Sequence, residues 1–159
     1  MTSEPYTLRE SDTLNDARKI MTEKHIRHIP ITDDDNHVIG LVTQRDVLAA
    51  TRPEMMQQAD AASSDDGSDI SLSDIMVRDV SVIHQSDSLR RAALFIQSHK
   101  YGCLPVISDD RLVGIITDSD FIDIAINLLE QVELSEEDVK IEAEAEAEDA
   151  MDDAVMTRF

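Results

Sequence analysis

A threonine and an aspartate three residues apart occur twice in the chain, each time after a glycine and two apolar residues. Thr43 and Asp46 form the first pair, and Thr117 and Asp120 form the second. A carboxylate at this position of a helix can accept hydrogen bonds from the two hydroxyls of a ribose, while the threonine and free helical N–H groups face a phosphate. The same residues also form a capping box, which stabilises a helix by about 1 kcal/mol without any ligand. Both interpretations remain open from the residues alone.

The residues around the two motifs differ in charge. The first motif is accompanied by Arg27, His28 and Arg45, and the second by Lys100, Tyr101 and Cys103, with Asp118-Ser119 in place of Gln44-Arg45. Because arginine pairs well with phosphate, we expect the first site to be the better phosphate site. We expect the second to take a less charged ligand or to stay empty. Alternatively, two of the three cations of the first motif pair with surface carboxylates.

No recognised catalytic or metal-binding motif accompanies these residues. His25 and His28 are spaced i, i+3, but the first helix should end there, so we expect no metal site. Cys103 has no base placed beside it by any motif, and we expect a small, half-buried filler rather than a nucleophile. Gly40 and Gly114 belong to no glycine-rich phosphate loop. The sequence therefore predicts neither an enzyme nor a required cofactor or metal.

Both motifs belong to an internal repeat. When the sequence is shifted by 75 positions, Met1 aligns with Met76 and Pro30 with Pro105, and a turn one residue shorter then makes the shift 74. In each copy the pattern indicates a strand, a helix, two strands and a second helix. This order predicts a mixed α/β protein of the α+β class, built from tandem βαββα units.

The hydrophobic pattern also predicts where the elements lie. The first helices should follow Ser11-Asp12 and Ser86-Asp87, whose side-chain oxygens can cap a helix. Apolar runs around an acidic turn predict a β-hairpin in each copy, with strands at 29–31 and 38–42 and at 104–107 and 112–116. The second helices begin at Thr43 and Thr117, and the apolar face of the last one continues to Val132.

Composition divides the chain into four segments. We expect a first copy at 1–52, a flexible acidic and serine-rich linker at 53–74, a second copy at 75–129, and a helix extension with a partly disordered acidic tail at 130–159. The tail alternates alanine and glutamate at 141–149, which gives a helix no single apolar face. It serves either solubility or docking to a basic partner.

The charge excludes several classes of partner. The chain has 34 acidic and 14 basic residues, a net charge of −20, which disfavours binding to nucleic acid or to an anionic membrane surface. Residues 130–159 hold 12 of the acids and 2 of the bases, which is half of the net charge. The start Met-Thr-Ser-Glu-Pro lacks the basic and apolar character of a secretory signal, so we expect a cytoplasmic protein.

The doubled pattern Gly-h-h-Thr-x-x-Asp, where h is an apolar residue, resembles that of the CBS domain pair, or Bateman module. It occurs at 40–46 and 114–120, each time about ten residues after an h-Pro-h strand. The runs at 26–31, 114–121 and 125–129 are similar to those of small bacterial proteins of the acetoin-utilisation type. The resemblance covers residues 1 to about 129.

This resemblance implies two repeats packed sheet against sheet with pseudo-two-fold symmetry. Their two clefts would take adenosine-bearing ligands such as AMP, ADP, ATP, S-adenosylmethionine or a dinucleotide. Asp46 and Asp120 would bind ribose, and the base pockets would be lined by Ile29, Leu104, Thr7 and Val82. The candidate ligand-binding residues are then Thr43, Arg45, Asp46, Arg27, His28, Ile29, Thr7, Thr117, Ser119, Asp120, Tyr101, Leu104 and Val82.

Two hypotheses of function follow. In the first, the chain is a non-catalytic regulatory module that senses an adenosine nucleotide and acts in trans, as a homodimer, on an unknown effector protein. Family members usually dimerise, and the apolar helix face at 121–132 is more than one small domain covers. In the alternative, the clefts are vestigial and the chain is an interaction module that docks a partner through its acidic segments.

Overall fold

The computed structural model describes residues 1–51 and 70–134. Its elements, in chain order, are β1 (Thr2–Ser3), α1 (Leu14–Lys24), β2 (His28–Thr32), β3 (Val38–Thr43), α2 (Gln44–Ala50), α3 (Leu72–Ile75), β4 (Ile83–His84), α4 (Leu89–His99), β5 (Cys103–Ser108), β6 (Arg111–Thr117) and the helix α5 at 118–134. One sheet has the strand order β1-β6-β5-β4, and the other contains β2 and β3. This mixture of helices and sheets confirms the α+β class.

The chain forms two compact units, Met1–Asp118 and Ser119–Phe159. The first contains both hairpins, and the described part of the second is helical to residue 134. No helix among residues 1–51 and 70–134 is long and apolar enough to cross a membrane. Most of the predicted linker and most of the acidic tail lie outside the described residues.

The hairpins of the two copies match closely. β2 pairs antiparallel with β3 from His28 opposite Thr43, and β5 pairs antiparallel with β6 from Cys103 opposite Thr117. Both turns use the left-handed backbone conformation that asparagine and aspartate tolerate, with φ 68° at Asn36 in the first copy. The predicted hairpins are confirmed.

The first helix of each copy starts one residue later than predicted. The N-cap of α1 is Thr13, whose hydroxyl accepts from the Asp16 N–H at 3.3 Å, and the N-cap of α4 is Ser88. The aspartates expected at the caps bind backbone before the helix instead: Asp12 accepts from the Arg9 N–H at 2.7 Å, and Asp87 from the His84 N–H at 2.9 Å. The predicted caps at Ser11-Asp12 and Ser86-Asp87 are therefore wrong.

Each copy also pairs with a short segment of the other. Thr2 pairs antiparallel with Ile115 of the second copy, and Val77 forms a bridge with Leu41 of the first. Val77 and Leu41 exchange two backbone hydrogen bonds of 2.9 Å. Since Thr2 and Val77 occupy the same position in their copies, the exchange is reciprocal, as a pseudo-two-fold axis requires.

Residues just before the second copy complete the core of the first. The buried cluster contains Leu14, Ala17, Met21, Ile29, Ile31, Val42, Val47, Ala50, Leu72 and Met76. Leu72 has no exposed surface, and its N–H donates to the Asp12 carbonyl at 2.8 Å. The end of the stretch predicted as linker thus forms α3, because its apolar side chain fills a place in the first core.

Candidate functional site

A cleft of about 490 Å³ lies where the two copies meet. Its lining residues come from both copies and are Arg27, His28, Thr43, Gln44, Arg45, Leu48, Lys100, Tyr101, Gly102 and Asp118. The volume lies in the range of small-molecule sites. Three of these side chains are cationic in a chain whose net charge is −20, so the cleft concentrates positive charge locally.

The same backbone hydrogen bond fixes both walls of the cleft. The Gln44 N–H donates to the Arg27 carbonyl at 2.9 Å, and in the second copy the Asp118 N–H donates to the Gly102 carbonyl at 3.1 Å. Each bond joins the first residue of a helix to the residue before a strand. The repeat therefore brings equivalent positions to opposite sides of one cleft.

His28 fills part of the boundary between the copies. A methyl group at Gly102 would lie 2.7 Å from the Nε2 atom of His28, so the imidazole occupies the space that a side chain there would need. Burial lowers the pKa of His28; the Asp118 and Asp46 carboxylates act in the opposite direction, and the Arg27 guanidinium adds to the lowering. The imidazole is therefore neutral at neutral pH.

The Thr43 and Asp46 side chains bind each other. The Thr43 hydroxyl donates to Oδ2 of Asp46 at 2.6 Å, the Thr43 N–H donates to the same oxygen at 2.8 Å, and the Asp46 N–H donates back to the hydroxyl at 3.3 Å. This is the capping box that the sequence offered as one interpretation. Both of the bonds that the Asp46 carboxylate accepts here use Oδ2, so Oδ1 lies outside the capping box.

Tyr101 brings an aromatic ring to the cleft. Its ring stacks on that of His99 at a centroid distance of 5.4 Å, and His99 in turn stacks on Phe95 at 4.2 Å. The Ser81 hydroxyl lies 3.5 Å from the tyrosine oxygen. These contacts hold the ring in place although 40% of the residue is exposed.

Cys103 begins β5 next to the cleft and is buried. Burial, with a smaller contribution from the Asp118 carboxylate, raises the pKa of its thiol to about 12. A thiol that stays protonated at neutral pH is a poor nucleophile. The side chain is more buried than the half-buried filler that the sequence indicated.

The structure brings five predicted site residues into one cleft: Arg27, His28, Thr43, Arg45 and Tyr101. The sequence placed Tyr101, with Lys100, at a second cleft, whereas in the structure both residues line the cleft that also contains Arg27 and His28. Gln44, Leu48, Lys100, Gly102 and Asp118 also line the cleft and were not among the predicted site residues. The alignment of the repeats had placed Gln44, Lys100 and Asp118 beside the two motifs, but no local pattern indicated that both neighbourhoods line one cleft.

The other predicted site residues lie outside this lining. Ile29 and Leu104 are fully buried in β2 and β5, and Thr7 and Val82 are half-buried at equivalent positions before Leu8 and β4. Thr117 ends β6, while Ser119 and Asp120 lie in the first turn of α5, and Asp46 lies beside Thr43. Their ligand-binding roles stay predictions. In the described part of the chain no three histidine, cysteine or acidic side chains are grouped to hold a metal ion.

Two α+β repeats with matching hairpins and reciprocal pairing define a tandem-repeat protein whose copies enclose a shared cationic cleft. The family model of the CBS domain matches residues 1–52 and 72–127, and the chain belongs to this family. The resemblance of the doubled motif is thereby confirmed.

Similar proteins include one designated AcuB, a name taken from acetoin utilization, from Vibrio cholerae. The solved AcuB structure is 45% identical, has a TM-score of 0.72, and the match covers 84% of this chain and 92% of that chain. CBSX2, solved in complex with AMP, is 25% identical with a TM-score of 0.67 over 80% of this chain and 93% of that chain. Protein MJ1225 of Methanocaldococcus jannaschii is 33% identical over 73% of this chain, which spans only 38% of that relative.

Proposed function

We propose that the chain is a non-catalytic regulatory module that senses AMP, ADP or ATP in the cleft between its two copies. The observation that carries this proposal is the convergence of Arg27, Arg45 and Lys100 on one cleft of an otherwise acidic protein. Arginine and lysine side chains are the usual partners of phosphate groups. The AMP complex of CBSX2, a relative with the same fold, supports an adenosine ligand.

Within this proposal, each part of the cleft has a role. Arg27 and Arg45 of the lining pair with phosphate, and Asp46, which lies beside Thr43 outside the lining, accepts at Oδ1 from a ribose hydroxyl while Oδ2 remains in the capping box. The ring of Tyr101, fixed by His99, offers a surface beside the cations for an aromatic base. Thr117, Ser119 and Asp120 form the corresponding motif of the second copy.

Thermal-shift measurements with AMP, ADP and ATP test the ligand. A ligand that binds only the folded state stabilises it by about 2.7 kcal/mol at a concentration 100 times its Kd. We expect Arg45→Gln to reduce this shift and Arg90→Gln, on the exposed surface of α4, to retain it. The absence of any shift at millimolar ligand in the unsubstituted protein would contradict the proposal and favour an interaction module with vestigial clefts.

We also propose that the chain acts in trans as a homodimer. Along α5, Ile122, Ile126 and Leu129 follow the spacing of one helix face, and their exposed fractions are 59%, 49% and 62% in the single chain. An apolar face of this kind is typical of a protein contact. Sedimentation should show a dimer at micromolar concentration and a monomer for Ile126→Asp. A monomer of the unsubstituted protein would refute dimerisation without affecting the ligand proposal.

A further inference from the structure

The cleft is asymmetric in charge at two equivalent pairs of positions. The backbone bonds that fix its walls join Gln44 to Arg27 in the first copy and Asp118 to Gly102 in the second. The first wall therefore carries a guanidinium and an uncharged amide. At the equivalent positions the second wall has Gly102, which lacks a side chain, and Asp118, which has a carboxylate.

The space left by Gly102 is used by the first copy. The His28 imidazole lies where a side chain at 102 would begin, so a second arginine cannot be placed opposite Arg27 without displacing it. The electrostatic effect of Asp118 reaches both His28 and the buried Cys103 thiol. Its charge therefore acts on the interior of the cleft as well as on solvent.

The charges of the lining add up to a small positive number. Arg27, Arg45 and Lys100 contribute three positive charges and Asp118 one negative charge, which leaves a net charge of +2 while His28 is neutral. Hydrogen bonds or ion pairs between Asp118 and its neighbours leave this formal net charge unchanged. A phosphate monoester carries about −1.5 to −2 at neutral pH, which matches the charge of the lining, while the Asp46 carboxylate lies beside Thr43 outside this sum. A triphosphate carries more negative charge than this lining can neutralise.

We infer that Asp118 is a specificity-determining residue, which limits the negative charge that the cleft accepts and makes it favour adenosine monophosphate over the triphosphate. The inference rests on the proposed function, since it concerns the ligand of the same cleft. The Asp118 carboxylate repels the outer phosphates of ATP more than the single phosphate of AMP. Gln44, the equivalent residue of the first copy, has no such charge.

Isothermal titration calorimetry with AMP and with ATP, at fixed ionic strength and without divalent cations, tests this inference. We expect Asp118→Asn to tighten ATP binding by roughly 3- to 10-fold and AMP binding by no more than about 2- to 3-fold. The reciprocal change Gln44→Asp adds a carboxylate to the other wall and should weaken ATP more than AMP. This second variant keeps the test decisive if Asp118→Asn folds poorly.

Asp110→Asn is the matched control. It removes one negative charge from an exposed turn outside the lining, at a residue with φ 62° that asparagine tolerates. Its ratio of AMP to ATP affinity should equal that of the unsubstituted protein.

Three outcomes would overturn the inference. An unchanged affinity ratio in both cleft variants would show that Asp118 does not select ligands by charge. Equal weakening of both ligands by Asp118→Asn would assign the carboxylate to holding a neighbouring cation instead. If the protein binds neither AMP nor ATP, the proposed function fails together with the inference. If it binds them and only the affinity ratio is unchanged in the variants, the inference fails and the proposed function stands.

Discussion

At the scale of single residues, His28 combines burial with contact to both copies. Burial disfavours the charged imidazolium, and this outweighs the opposing carboxylates of Asp118 and Asp46. The sequence places the histidine directly after Arg27 but contains no sign that the ring is partly buried. Its enclosure depends on Gly102, which lies 74 residues away in the chain. The chemical type of this site residue was predictable and its protonation state was not.

The lowered pKa of His28 predicts how stability depends on pH. Because the unfolded chain has the ordinary value of 6.5 and the folded protein a lower one, the unfolded state binds more protons as the pH falls below that value. The contribution of His28 to stability is therefore present above pH 6.5 and is lost as the pH falls through the folded pKa. Urea unfolding at several pH values should show that the free energy of unfolding of His28→Gln depends less on pH, between about pH 7 and 5, than that of the unsubstituted protein.

His84→Gln provides the control for this measurement, since His84 is exposed on β4. It should retain the pH dependence of the unsubstituted protein. If His28→Gln has the same slope as the unsubstituted protein, the partly buried imidazole is not the group responsible.

At the scale of elements, the sequence predicted hairpins better than helix starts. A hairpin is specified locally by apolar runs and a turn, and both β2–β3 and β5–β6 form as expected. A helix start depends on which of several adjacent oxygens meets the free N–H groups. Asp12 is recruited by the Arg9 N–H, so Thr13 becomes the cap of α1. Spacing alone cannot rank such neighbouring candidates.

The two capping boxes of the first copy separate helix stabilisation from ligand binding. Thr13 with Asp16 and Thr43 with Asp46 have the same hydrogen bonds, but only Thr43 lines the cleft. Thr13→Ala and Thr43→Ala should each destabilise the fold by about 1 kcal/mol. Only Thr43→Ala should also weaken the thermal shift caused by AMP, beyond its effect on stability. If AMP causes the same thermal shift in both variants, Thr43 and Asp46 cap α2 and do not contribute to ligand binding.

Gly40 and Gly114 form a second matched pair, one in each hairpin. A methyl group on Gly40 would lie 2.5 Å from the sulfur of Met76, which is buried in the first core. On Gly114 it would lie 3.0 Å from the sulfur of the half-exposed Met1 and 3.1 Å from the Thr2 carbonyl oxygen. Gly40→Ala should therefore cost about 1–3 kcal/mol, the usual range for overpacking, and Gly114→Ala less. Chemical denaturation measures both, and a larger loss for Gly114→Ala would contradict the role of the Met76 contact.

At the scale of the whole molecule, the repeats are joined by features that neither copy reveals alone. The repeat pattern predicted two similar units, but the pairing of Thr2 with Ile115 and of Val77 with Leu41 occurs only when both units are present. The side chain of Asn36 also donates to the Leu112 carbonyl at 2.9 Å across the two copies. Since each residue of these pairs is ordinary in its own copy, local patterns contain no signal for them.

This exchange predicts that both copies unfold together. Leu72 lies beyond the first copy in sequence yet is fully buried in its core, so Leu72→Ala should destabilise the fold by about 2–5 kcal/mol. Leu94→Ala, at a residue 47% exposed, should cost about 0.5 kcal/mol or less.

Tyr6 and Tyr101 are the two tyrosines of the chain, one in each copy, and replacing either by phenylalanine leaves the other as a fluorescent probe. In the Leu72→Ala background the two probes should report one urea midpoint, because the first copy cannot lose its core without releasing β6 and Val77. A Tyr6 midpoint below that of Tyr101 would instead show that the copies are independent.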